Sequence, residues 1–167
     1  MIKKPHLVYF ACCLLATPAY GKQMTSETKL KPYKAFYQSE IKGINIVLER
    51  QLSITETNEV LLTMKGQKFI FRVSESSLFR LKGNTIIPIE YEYSFFGGIS
   101  RHKKINFDTK SKFIKSFDKG EWFDLPKEEN IFDRLNVQAQ LRIILMKQKN
   151  FPQRITFRIA DGNRIKD

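Results

Sequence analysis

The sequence predicts a mainly β domain: a curled antiparallel sheet, half-barrel-like, with one amphipathic α-helix packed on its concave side. Three observations predict it. Apolar and polar residues alternate with a period of two from Tyr33 onward. Turn residues interrupt that alternation at intervals of roughly ten residues, as in an antiparallel meander. One late segment, 136–147, changes to a helical period. A sheet of about eight to ten strands tends to curl, and its concave side would supply the apolar surface that the helical stripe needs.

The first residues stand apart. Lys3 and Lys4 precede the apolar run LVYFACCLLATPAY, and Ala19-Tyr20-Gly21 follows with small residues at the positions a signal peptidase reads. Basic start, short apolar run and small-residue exit describe a secretory signal peptide, with cleavage expected after Gly21. The run is shorter than the ~20 residues that span a bilayer. Cys12 lies too close to His6 for a lipoprotein h-region, so Cys12 and Cys13 leave with the leader. The remaining chain then has no cysteine and is held by its core alone. Residues 22–32, KQMTSETKLKP, read as a flexible leader into a single domain over 33–167.

YKAFYQSEI (33–41) is the first strand and Gly43 its turn. INIVLERQLSIT (44–55) sets Ile44, Ile46, Leu48, Leu52 and Ile54 on one face. EVLLTMKGQKFIFRVSE holds two strands around a turn at Lys65-Gly66-Gln67. Gly83-Asn84 turns the chain into TIIPIEYEYSFF, where Ile87, Ile89, Tyr91, Tyr93 and Phe95 share a parity. Pro88 has no N–H to give, so this strand is an edge or is bulged there. Segment 101–125 forms a hairpin and a further strand, with turns at Asp108-Thr109-Lys110 and Asp118-Lys119-Gly120. In NVQAQLRIILMK, Val137, Leu141, Ile144 and Leu145 form one helical stripe, with Asn136 as its cap. FPQRITFRIADGNRIKD returns to strand and turns at Asp161-Gly162-Asn163. The last strand is only begun, so the sequence is expected either to be truncated or to finish on a short edge strand.

Charge and residue supply narrow the function. The formal charge of +12 falls by two, to +10, once Lys3 and Lys4 are removed. Outside the cytoplasm the common polyanions are lipid headgroups and wall polymers, so nucleic acid is not an expected partner. Past the leader His102 is the only histidine, set among Arg101, Lys103 and Lys104, and no nucleophile elbow is present. A single histidine without cysteine does not make a transition-metal site, and no calcium loop motif occurs. Glu90 and Glu92 lie about 7 Å apart on one strand face, where solvent-facing polar alternation explains them. No enzyme, metal or cofactor is expected.

Two binding modes remain. The chain holds 14 Phe, 6 Tyr and one Trp, a stock large enough to build a core and line a cavity. A lipid or other apolar ligand held between sheet and helix would meet Ile87, Ile89, Tyr91, Tyr93, Leu141 and Leu145. The alternative is an envelope interaction module. Its basic hairpin, 101–119, would set Arg101, Lys103, Lys104, Lys112 and Lys115 against an anionic membrane surface or a protein partner.

Several motifs occur in a familiar order. Tyr33 to Tyr37 gives an aromatic start, and GNTIIPIEYEY (83–93) is similar to a "G-x-L-x-P-x-x-Y-x-Y" signature. Asp133-Arg134-Leu135-Asn136 with Leu141-Arg142 looks like a "D-x-L-S … L-R" helix entry, and Ala160-Asp161-Gly162 like a "v-D-G" turn. In this order the chain resembles the bacterial exported domain-of-unknown-function family 3108 over residues 33–167. The resemblance implies an exported β domain and carries over no catalytic residue. By fold analogy it also implies a likeness to periplasmic lipoprotein carriers of the Lol type. Asn136 stands where the signature has serine. The tryptophan expected near Asn106-Phe107-Asp108 is absent, and the further strands that usually follow the last turn are missing.

Overall fold

The computed structural model describes residues 30–41, 43–147 and 153–167, so the signal-peptide reading of residues 1–21 lies outside the described residues. Eight strands follow one another as a meander: β1 (Tyr33–Ile41), β2 (Ile44–Ile54), β3 (Val60–Lys68), β4 (Phe71–Lys82), β5 (Thr85–Phe96), β6 (Ser100–Asn106), β7 (Phe113–Asp118) and β8 (Glu121–Pro126). Each pairs antiparallel with its neighbour in sequence. Then come β9 (Ile131–Phe132), the helix α1 (Asn136–Lys147), β10 (Arg158–Asp161) and β11 (Arg164–Lys166). These last strands form a separate three-stranded sheet in which β9 and β10 run parallel.

The expected half-barrel is not formed. The large sheet is open, with β1 and β8 as its two edges, and it is neither closed nor strongly curled. A curled sheet fills its throat with its own side chains. Here a second layer does the covering instead, as α1 and the small sheet bring Leu135, Ala139, Ile143, Ile131, Phe132 and Ala160 into one core with the large sheet. The fold is a two-layer arrangement, not a barrel around a helical plug.

Registers show what the second layer covers. Residues directly opposite across strands share a face, and the row Tyr33, Leu52, Leu62, Ser77, Tyr91, Ile105, Ser116 and Phe123 crosses all eight strands. Leu52, Leu62, Phe79, Ile86, Ile105 and Ile114 are almost wholly buried beneath it. Burying each such side chain contributes about 1.5–3 kcal/mol, so the two layers hold each other. Leu30, assigned to the leader by sequence, is buried in the same core.

Three local expectations are corrected. Lys65-Gly66-Gln67 is not a turn. Gly66 sits inside β3, where a Cβ would lie 2.5 Å from Leu48 Cδ2 and 3.0 Å from the Val47 carbonyl. A close approach, not a bend, calls for glycine there. The turn falls instead at Phe69-Ile70, and Phe69 takes a positive φ of 53°.

The single stripe of β5 is also broken. Its register against β4 shifts between Leu78 and Phe79, which pair with Glu90 and Pro88, leaving Ile89 as the extra residue. β5 is interior to the sheet, so Pro88 is accommodated by a bulge and not by an edge. The bulge inverts parity, so Ile86 before it and Tyr91 after it share the buried face.

Finally, α1 buries Asn136, Ala139, Gln140 and Ile143, rotated away from the Leu141–Leu145 stripe. Leu141 is half-buried, and Leu145 and Met146 are exposed. Polar atoms decide the rotation. Gln140 Oε1 accepts the Ile86 N–H at 2.8 Å, and its Nε2 donates to the Asn84 carbonyl at 3.0 Å. Turning these groups to water would leave backbone at the β4–β5 turn unpaired.

Candidate functional site

Inward-facing polar groups are the first place to look for chemistry, and most of them serve the fold. Asp133 is wholly buried. Its Oδ1 accepts the backbone N–H groups of Leu135 and Asn136 at 2.9 and 2.8 Å, and the Val137 N–H bonds its carbonyl. Asp133 is therefore the helix cap, and the expectation that Asn136 caps is corrected. Asn136 instead closes the box, because its Oδ1 accepts the Asp133 N–H at 2.9 Å. Ser77 Oγ and Asn136 Nδ2 donate to Asp133 Oδ2 at 2.7 and 2.5 Å. Burial pushes the Asp133 carboxyl up to about 7, although these donors pull the other way. Beside it, the Tyr91 hydroxyl donates to Glu75 at 2.5 Å. Burial first, then the Glu75 carboxylate, raise the phenol far above its ordinary value.

A second polar cluster ties the small sheet to the large one. Lys103 is buried, hydrogen-bonds Asp161 and lies 3.9 Å from Asp118. Partial burial opposes the charge on Asp161, but hydrogen bonds from Lys103 and Lys166 outweigh it and hold that carboxyl at about 2. Gly162 has no Cβ because one would meet Asp118 Oδ2 at 2.6 Å. The "D-G" turn is thus a docking point for the large sheet.

A cleft opens at the end of the sheet where the β4–β5 turn, the β6–β7 loop and the β8–β9 loop meet. It encloses about 700 Å³ over Ile86, Pro88, Phe107, Ile114 and Ile131, with Lys82, Thr85, Thr109 and Asn130 among its polar lining. A second cleft of about 410 Å³ adjoins it and shares Thr85, Glu129 and Asn130; Phe132, Ile144 and Phe157 line it. Its walls are braced. Lys127 Nζ donates to the carbonyls of Asp108, Thr109 and Ser111 at 2.7, 2.8 and 3.0 Å, which fixes the β6–β7 loop. Gln140 fixes the facing turn. The floor is apolar and the rim is polar and charged, with Lys82, Lys127, Glu128 and Glu129 around it, and an apolar concavity with polar groups at its margin is a usual form of a small-molecule site.

Of the six residues expected to line a ligand space, Ile87 borders this cleft. Ile89 is the bulge residue, Tyr91 is core, and Tyr93 is half-buried with the Arg134 guanidinium 5.9 Å from its ring centre. Leu141 and Leu145 line neither cleft. Phe107, Ile114 and Ile131 were missed because their convergence depends on three loops distant in sequence.

The basic hairpin is largely spoken for. Lys103 points inward, Lys104 pairs with Glu90 at 2.9 Å, Lys115 with Asp124 at 2.6 Å, and Arg101 lies 3.9 Å from Asp118. Lys112 is exposed without an ion pair among the described residues. Glu92 meets His102 at 2.9 Å, so Glu90 and Glu92 face cross-strand bases and not a shared substrate space. Among the described residues no three His, Cys, Asp or Glu side chains cluster as metal ligands. Comparison with protein-family models, with curated proteins and with solved structures found no match.

Proposed function

We propose that this chain is a non-enzymatic binding domain of the cell envelope that holds a small apolar molecule in the cleft at the β4–β5 end of the sheet. The observation that carries the reading is the braced concavity of about 700 Å³ floored by Ile86, Phe107, Ile114 and Ile131. Its volume lies within the range of small-molecule sites, roughly 300–1,000 Å³. The placement differs from the expected space between sheet and helix, where Tyr91, Ala139 and Ile143 belong to the core. A binding role fits better than catalysis because three inward carboxylates are committed, Asp133 to its cap and Ser77, Glu75 to Tyr91, Asp161 to Lys103, and the fourth, Asp118, lies against Lys103 away from the cleft. The leader read in residues 1–21 supports an envelope location.

Titration with N-phenyl-1-naphthylamine, an uncharged fluorophore that brightens in apolar surroundings, tests the reading. Saturable binding is expected, weakened about tenfold or more by Thr85→Trp, which places a ring at the junction of both clefts. Thr85 is exposed, so the variant keeps its core. Absence of saturable binding, or binding indifferent to Thr85→Trp, overturns the proposal.

A further inference from the structure

The opposite end of the sheet carries the hairpin tips β3–β4 and β5–β6, and its surface is of another kind. Phe69, Ile70, Phe96 and Ile99 are exposed to 78, 63, 59 and 64 %. They sit on two neighbouring hairpin tips, held side by side because β4 and β5 pair along their length. Arg72 pairs with Phe96 across β4 and β5, the Phe71 and Phe95 rings lie 6.3 Å apart, and the Gly97 backbone rests against Phe71. Large apolar side chains crowded at a solvent-exposed tip call for a covering partner.

Backbone conformation gives an independent reason. Phe69 occupies the left-handed region at the first position of a two-residue hairpin turn. Glycine and asparagine take that position readily, whereas a bulky residue there is strained. An aromatic ring that is both strained and four-fifths exposed contributes nothing evident to the fold, and such residues cluster where function retains them.

Charge identifies the partner. Segments 67–72 and 95–101 read QKFIFR and FFGGISR and hold no Asp or Glu; Lys68 and Arg72 have no ion pair among the described residues, and Arg101 lies 3.9 Å from Asp118. The acidic side chains at this end, Glu40, Asp118 and Glu121, belong to the flanking hairpins, and Asp118 faces inward. The Lys68 ammonium stands 5.9 Å from the Phe69 ring centre, so cation and ring are presented together. Phenylalanine and isoleucine at a convex point, ringed by Lys and Arg, match a bilayer interface, where rings enter the acyl boundary and bases meet anionic headgroups. Two narrow tips do not offer the flat face of about 800 Å² per partner that a standard protein interface uses.

We propose that the Phe69-Ile70 and Phe96–Ile99 tips dock this domain on an anionic lipid bilayer, leaving the cleft at the far end facing away from the membrane. This differs from docking through the outer face of the basic hairpin, and it holds or fails independently of what the cleft binds.

The test uses an indole placed at the tip of the full chain. Trp122 is the only tryptophan, so Phe69→Trp in a Trp122→Phe background reports the tip alone, whatever other segment touches lipid. With phosphatidylglycerol-containing vesicles its emission is expected to move to the blue and to be quenched by brominated acyl chains. Lys68→Glu with Arg72→Glu weakens that response about tenfold, as does roughly 0.5 M salt. Lys112→Gln with Lys115→Gln leaves it unchanged. An unshifted indole on vesicles that sediment the protein overturns the proposal. So does an equal response on purely zwitterionic vesicles, or indifference to the charge reversals. A blue shift that grows with protein concentration in the absence of vesicles assigns the tips to a second copy of the chain and also overturns it.

Discussion

Asp133 and Asn136 satisfy each other's backbone: the Asn136 N–H meets Asp133 Oδ1 at 2.8 Å, and the Asp133 N–H meets Asn136 Oδ1 at 2.9 Å. The pair starts α1 and, through Ser77, fastens that start to the middle of the large sheet. Asp133→Ala removes the cap and strands the Ser77 hydroxyl in the core. A loss of about 2–4 kcal/mol is expected in urea unfolding. Asn136→Ala keeps the Asp133 acceptors and is expected to lose less. Equal losses would show that the cap is not the dominant contribution.

Two serines on one cross-strand row make opposite predictions. Ser77 and Ser116 are both fully buried. Ser77 donates to Asp133, while Ser116 Oγ has no partner among the described residues. Ser77→Ala should cost about 1–2 kcal/mol, whereas Ser116→Ala should be neutral or stabilising by up to about 1 kcal/mol. Chemical denaturation of the two single variants measures the difference directly.

Stability should peak near the ordinary carboxylate value. The Asp133 carboxyl is raised from 3.8 to about 7 on folding, so the folded chain holds a proton that the unfolded chain has released. Its contribution is greatest at the low end of that window, falls as pH rises toward 7, and is constant above it. Asp161 is lowered from 3.8 to about 2, so its contribution is complete above 3.8 and is lost as pH falls toward 2. Thermal unfolding across pH should show both slopes. Asp133→Asn is expected to flatten the upper slope, and Asp161→Asn the acid one.

Phe69 is expected to be a residue the fold would be more stable without. Phe69→Asn relieves a side chain held at φ 53° and should raise unfolding stability by about 1 kcal/mol. A gain in stability with a loss of vesicle response would separate what the residue does for the fold from what it does for the membrane. A loss of stability would mean that the ring packs in a way its exposure does not reveal.

The element order was legible because local signals set it. Alternation identified the long strands of the meander, Gly83-Asn84 and Lys119-Gly120 identified turns, and the 3.6-residue period located the helix, although its cap is Asp133 and not Asn136. Elsewhere a local signal had two causes. Gly66 and a turn glycine look alike in sequence, and only the neighbouring Leu48 distinguishes them. Pro88 announced a bulge or an edge, but the parity inversion that moved Ile87 and Tyr91 to different faces required the register. Helix rotation followed Gln140 and not the Leu141 stripe, since a buried amide bonded to a turn outweighs a half-buried leucine. The cleft was illegible because its floor comes from loops that meet only in space.

Strand order in the large sheet equals chain order, so every pairing in it closes a short loop, and such contacts form early and fast. The layer over its apolar side, β9 to β11 with α1, leaves the ribosome only after all eight strands of the sheet. While that layer is being made, the side of the sheet bearing Leu62, Phe79 and Ile105 stays wet, and Lys103 waits for Asp161. Topology alone therefore fixes a moment in synthesis when the nascent chain is most prone to aggregate.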